Sequence, residues 1–198
     1  MKITILTLFP SQFDGFMSNS IIKRAIAKGC VSVEIVDIRS FTKDKYGRTD
    51  TPPIGGGAGL IEKCQPIVDA LKSVQDEKSH TVLFSARGST YNEAKAKSFA
   101  KLDHLILVCG HYEGIDERVN KYVDELVSVG DYILTGGEIP AMAFGGLERV
   151  RMVLFRMEIN KGLISTSSCP STFSVCTRAL RNCLMESRLS ARSWSLLE

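Results

Sequence analysis

Two stretches of this chain hold side chains that can bind and react, each placed between glycines. The first is Cys109-Gly110-His111-Tyr112-Glu113-Gly114-Ile115-Asp116-Glu117-Arg118, entered from the apolar run that begins at Leu105. The second is Gly130-Asp131-Tyr132-Ile133-Leu134-Thr135-Gly136-Gly137-Glu138-Ile139-Pro140. Glycine lets the backbone turn sharply and leaves N–H and C=O groups approachable, while Tyr and Glu add a hydrogen-bonding edge and a carboxylate beside them. Two ordinary tight turns would also use the glycines. In an open parallel sheet, however, ligands sit beyond the carboxyl ends of the strands, so two such turns suggest loops converging on one small molecule. A third glycine-dense stretch, Asp50-Thr51-Pro52-Pro53-Ile54-Gly55-Gly56-Gly57-Ala58-Gly59, allows close approach to a planar or anionic ligand or is a surface linker. It is not a P-loop, because no Lys-Ser or Lys-Thr follows the glycines. Nor does a GxGxxG pattern follow the first apolar run, which disfavours a dinucleotide-type fold.

The elements that must position these turns follow from periodicity. Ile3 to Phe9 and Val31 to Ile38 read as strands around a helix over Ile21 to Ala27, and Gly47 to Gly59 reads as a loop. Cys64 to Val74 reads as a helix, Thr81 to Phe84 as a strand, Asn92 to Leu102 as a helix and Leu105 to Cys109 as a strand. A short helix over Ile115 to Tyr122 precedes a strand over Glu125 to Val129. Such alternation predicts an α/β fold, a mostly parallel sheet with helices on both faces.

Composition sets the bounds. A chain of 198 residues that is 44% hydrophobic and 24% charged fits one sizeable domain, or one domain with an appendage. A net charge of +3 is only a weak pointer to nucleic acid or phosphate. The six cysteines show no CxxC spacing, so a structural metal is not expected, and free thiols in a reducing, cytoplasmic setting are. The opening Ile3 to Phe9 runs into Pro10 and Asp14 and reads as a first strand, not a signal peptide, and no run is long enough to span a membrane.

The two motifs, the Gly-Gly-Gly-Ala-Gly loop and the opening Leu8-Phe9-Pro10 together resemble the bacterial tRNA (guanine-N1)-methyltransferases, which are SPOUT-class enzymes, over residues 1 to about 142. The resemblance implies transfer of a methyl group from S-adenosylmethionine to N1 of the guanosine at tRNA position 37, beside the anticodon. It also implies a trefoil knot, a homodimer with sites at the subunit interface, a cytoplasmic location and a role for Mg2+. Carried over position by position, the methyl-donor pocket falls on Phe84, Ser85, Gly110, Tyr112, Val129, Gly130, Asp131, Tyr132, Ile133, Leu134, Gly136, Gly137 and Pro140. The target guanine would meet the backbone near Gly55 and the carboxylate of Glu113, which can accept from the base's N–H edge. Read as single side chains, His111 faces tRNA or solvent, and Glu117 and Arg118 are partners across the dimer or an intramolecular surface pair. Lys43, Lys45 and Arg48 hold phosphate or serve as solubility charges.

Guanine N1 must lose its proton as the methyl arrives, so a general base is required. The resemblance puts an aspartate after the knot in that role and then an arginine that holds the base. In this chain those positions are Gly146 and Val150, flanked by Arg149 and Arg151, and no aspartate follows Asp131. From about Ala143 the resemblance ends. The chain therefore divides into a methyltransferase-like domain over 1–160 and a divergent or disordered tail over 161–198 where the C-terminal tRNA-binding domain is expected. A shift of reading frame near Ala143 would explain the change, and an RNA-binding appendage using Arg178, Arg181, Arg188 and Arg192 is the rival account. Besides the methyltransferase, two readings stand: a catalytically impaired relic that binds S-adenosylmethionine and RNA, and an unrelated α/β protein with turn-rich loops. The paired motifs argue against the last.

Overall fold

In the computed structural model, residues 1–53 and 55–145 are described. The tail over 161–198 and the positions Gly146, Arg149, Val150, Arg151, Arg178, Arg181, Arg188 and Arg192 lie outside the described residues. Strand β1 (Lys2–Thr7) leads through α1 (Asp14–Ser18) and α2 (Ser20–Ala27) to β2 (Ser32–Asp37). The short strands β3 (Asp50–Thr51) and β4 (Ile61–Glu62) follow, then α3 (Cys64–Val74), β5 (Ser79–Thr90), α4 (Glu93–Phe99), β6 (His104–Val108), β7 (Glu125–Ser128) and α5 (Glu138–Gly145).

Five strands form one sheet in the order β2-β1-β6-β5-β7, and every ladder in it is parallel. The all-apolar run of β6, Leu105 to Val108, is buried residue by residue because the sheet is covered on both sides. Ile3, Ile5, Leu105 and Leu107 point to one face, where Ile22 and Ala25 of α2, Phe99 of α4 and Ala141 and Phe144 of α5 meet them. Leu6, Ile106 and Val108 point to the other, against Ile67, Ala70 and Leu71 of α3 and Val119. Helices thus cover both faces, as the alternation predicts. Each fully buried Leu or Ile contributes about 1.5–3 kcal/mol relative to exposure.

Three boundaries differ from expectation for identifiable reasons. Strand β5 continues past Phe84 to Thr90 through an irregularity in its pairing with β7 between Phe84 and Ser89. Gly88 sits inside it with room for no side chain, since a Cβ would lie 2.5 Å from the Val127 backbone nitrogen. The helix expected over Ile115 to Tyr122 is a 3-10 turn over Glu117–Tyr122, because Ile115 is bridged to Glu62 and the Asp116 side chain accepts from the Arg118 N–H. The loop over Gly47 to Gly59 contains β3, antiparallel to β4.

Candidate functional site

The carboxyl ends of β5, β6 and β7 open into a cavity of about 570 Å3, within the roughly 300–1,000 Å3 usual for small-molecule sites. It gathers the sequence-predicted residues from three loops. Phe84 and Ser85 come from β5; Gly110, Tyr112 and Glu113 follow β6; Val129, Tyr132, Ile133, Leu134, Gly136, Gly137 and Pro140 follow β7. Gly130 and Asp131 belong to the same turn without lining the cavity, and neither does Gly55. The glycine loop reaches the site at its other end: the Glu113 side chain lies over Gly59, where a Cβ would fall 2.2 Å from Glu113 Cγ, and the Glu113 N–H donates to the Leu60 carbonyl at 3.1 Å.

The loops are fastened to one another through backbone. The Gly137 N–H donates to the Gly110 carbonyl at 2.7 Å, and His111 bridges Gly136 in antiparallel fashion. A Cβ on Gly137 would stand 2.6 Å from the Cys109 Cα, so only glycine permits this approach. Tyr112 has φ +58°, a left-handed conformation that is strained for a bulky side chain and held here between Gly110 and Gly114. Tyr132 and Ile133 remain exposed at the cavity's margin.

Behind the cavity lies a buried acidic pair that sequence reasoning missed. Glu138, at the start of α5, is 2% exposed, and Glu62 in β4 is 1% exposed. The Thr7 hydroxyl donates to Glu138 Oε1 at 2.9 Å. Neither Glu62 oxygen has a hydrogen-bond partner among the described residues. Burial, and then the charge of Glu138, push the Glu62 carboxyl up to about 8, so Glu62 keeps its proton at neutral pH. The same burial, together with Glu138 and Glu62, raises the Cys109 thiol and leaves it unreactive. An acid directly before an apolar helix is a helix-start signal for Glu138. Nothing adjacent in sequence marks Glu62.

Several of the charged and polar candidates have partners within the chain. The His111 ring lies 4.7 Å from the Phe9 ring, and its Nδ1 is buried 3.6 Å from Glu138 Oε2. Glu117 and Arg118 do not pair with each other. Arg118 is held by Asp116 at 2.6 Å and Glu117 by Arg87 at 2.7 Å. Before the glycine loop, Lys43 pairs with Asp69 and Arg48 with Asp44, whose carboxyl the Arg48 guanidinium lowers to about 2. Among the described residues, Cys30, Cys64 and Cys109 are free thiols, no three His, Cys, Asp or Glu side chains converge on a metal position, and no helix is long and apolar enough to cross a membrane.

The match to known proteins covers the same elements. The family model described as tRNA (Guanine-1)-methyltransferase TrmD matches residues 1–153. A tRNA (guanine-N(1)-)-methyltransferase of Malacoplasma penetrans is 54% identical over 143 residues, covering 72% of this chain and 63% of that protein. One from Carboxydothermus hydrogenoformans is 48% identical over 143 residues, covering 72% of this chain and 56% of its own length. One from Borrelia duttonii is 44% identical over 176 residues, covering 88% and 70%. The chain thus spans less than two thirds of the first two relatives.

Proposed function

We infer that this chain, which belongs to the tRNA (guanine-1)-methyltransferase family, transfers a methyl group from S-adenosylmethionine to N1 of the guanosine at tRNA position 37. The observation that carries the reading is the convergence of Phe84, Tyr112, Leu134, Gly136 and Pro140, from three separate loops, on one cavity. The cavity fits the donor: it offers apolar wall at Leu83, Leu134 and Pro140 beside backbone groups left bare by Gly110, Gly136 and Gly137. When bound, S-adenosylmethionine supplies an electrophilic methyl group on sulfur. The protein's own part is to orient. The clamped turn around Tyr112 and the Gly110–Gly137 hydrogen bond hold the cavity's walls, and Glu113 at its edge can accept from the N–H groups of a guanine. Among the described residues no three His, Cys, Asp or Glu side chains converge, and no step here is routed through magnesium.

The same reading includes tRNA as partner, a second copy of the chain completing the site, a trefoil knot and a cytoplasmic location, where tRNA is found. Tyr132, Ile133 and Ile139, exposed beside the cavity, are apolar surface of the kind a second subunit covers. The contacts of the Gly136 to Gly145 segment with the Cys109–His111 turn and with β1 bring a later segment against an earlier loop, as a knot requires.

Calorimetric titration of S-adenosylmethionine into the chain and a Gly136→Trp variant, followed by assay of methyl transfer to tRNA carrying guanosine or adenosine at position 37, tests this. Saturable binding lost in the variant, with guanosine-dependent transfer, is the expected result. Binding without transfer would mark an impaired relic, and no binding by folded protein would overturn the cavity assignment.

A further inference from the structure

Arg87 and Glu117 line the cavity and face one another, yet the reading above has no use for either. Arg87 lies in β5, between Ser85, whose hydroxyl oxygen accepts from the Arg87 N–H at 3.3 Å, and Gly88, which is packed against the β7 backbone. Glu117 opens the 3-10 turn that follows the motif loop after β6, and its Oε1 meets the Arg87 guanidinium at 2.7 Å. The pair thus joins two parts of the cavity wall that different strands provide. Its side chains are 74% and 69% exposed, so the contact is worth little in itself and opens at small cost. Among the described residues that line the cavity, Arg87 is the one permanent cation; Arg118 is held by Asp116 and does not line it. The other lining side chains that can carry charge near neutral pH are Glu113, over Gly59, and His111, beside Glu138.

S-adenosylmethionine carries a sulfonium, an ammonium and a carboxylate, and the carboxylate is its only negative group. We propose that Arg87 and Glu117 hold the amino-acid end of that donor, the guanidinium taking the carboxylate and the Glu117 carboxylate taking the ammonium. The inference deepens the methyltransferase reading and rests on it. A guanidinium presents its N–H groups as a planar fork that matches the two oxygens of a carboxylate. An acid and a base already side by side offer one partner to each charge of a zwitterion, so entry of the donor exchanges one ion pair for two. The cavity then divides the ligand by chemistry. Its apolar and glycine-lined part at Leu134, Gly136 and Pro140 suits the adenosyl group, and its charged part suits the amino acid. No bond forms or breaks at either residue: they anchor one end of the donor and so help to fix where its sulfur lies.

Calorimetric titration of S-adenosylmethionine and of its decarboxylated analogue into the unsubstituted chain, Arg87→Gln and Glu117→Gln tests this, with circular dichroism melts to show that the variants fold. The unsubstituted chain should bind S-adenosylmethionine about ten-fold more tightly than the analogue. Arg87→Gln should lose about ten-fold for S-adenosylmethionine and stay within about two-fold for the analogue, so that the preference vanishes. Glu117→Gln should weaken both ligands alike, because both carry the ammonium. Arg87→Lys, which keeps the charge without the fork, should recover part of the preference. An Arg87→Gln chain that binds S-adenosylmethionine like the unsubstituted one or loses both ligands equally, or a Glu117→Gln chain with both affinities unchanged, would overturn the proposal. So would an Arg87→Gln chain whose tRNA affinity falls while its donor affinity holds, since the guanidinium then serves a phosphate. In each of these cases saturable donor binding by the unsubstituted chain leaves the methyltransferase standing, whereas no donor binding by the folded, unsubstituted chain would bring down both.

Discussion

Glu62 carries two oxygens buried without a partner, and its consequence for stability has a definite sign. Its folded value of about 8 lies above the ordinary 4.5, so between those limits the folded chain binds a proton that the unfolded chain releases. The stability from this group is present in full below about 4.5 and is lost as pH rises to about 8. Replacing a buried, unpartnered acid by an apolar side chain of similar length removes that penalty. Glu62→Met should therefore raise unfolding free energy by on the order of 1–3 kcal/mol at pH 8 and by much less at pH 5. Urea titrations at the two pH values would show it, and a variant less stable at pH 8 would refute the account. The site at this scale was only partly legible. Gly110, Tyr112, Gly136 and Gly137 stand out by type and spacing, whereas Glu62 lies 49 positions before His111 in sequence and is joined to the motif loop by its bridge to Ile115.

Among the elements, the β5–β7 ladder is the most exposed to a single change. Gly88 lies where any Cβ would stand within 2.7 Å of the Leu126 and Val127 backbone, so Gly88→Val must part the two strands. A loss of about 2–4 kcal/mol, several degrees of Tm, is expected; circular dichroism melts that coincide with the unsubstituted protein would contradict this. That ladder is also where sequence reasoning stopped short. Thr81 to Phe84 is apolar and announces a strand, but Ser85 to Thr90 is polar and continues the strand only because β7 supplies its hydrogen bonds. By contrast, the bounds of α3 were legible because its apolar positions Ile67, Ala70 and Leu71 recur at helical spacing over a buried face. Helix α5 was missed altogether, since Ile139 to Gly145 is apolar without a polar stripe and periodicity has nothing to grip.

For the whole molecule, the tRNA contact proposed above is met by only a small overall excess of positive charge, +3. The slope of log K against log salt should be modest, about −0.7 to −0.9 for each phosphate neutralised, while affinity for S-adenosylmethionine should barely change. Filter binding of tRNA between low and moderate salt would measure it, and a tRNA affinity indifferent to salt would count against phosphate contact. The strand order has another consequence, for how the chain is made. Strand β6 is made after β1, β2 and β5, yet it lies between β1 and β5, pairing Lys2 with His104 on one side and Ser79 with the same residue on the other. A nascent chain stopped before His104 holds both neighbours with open edges and no strand to join them. Translation must therefore carry the β1–β2 pair and an unpaired β5 until the sixth strand arrives, and a pause at that point offers unpaired backbone N–H and C=O edges to other chains.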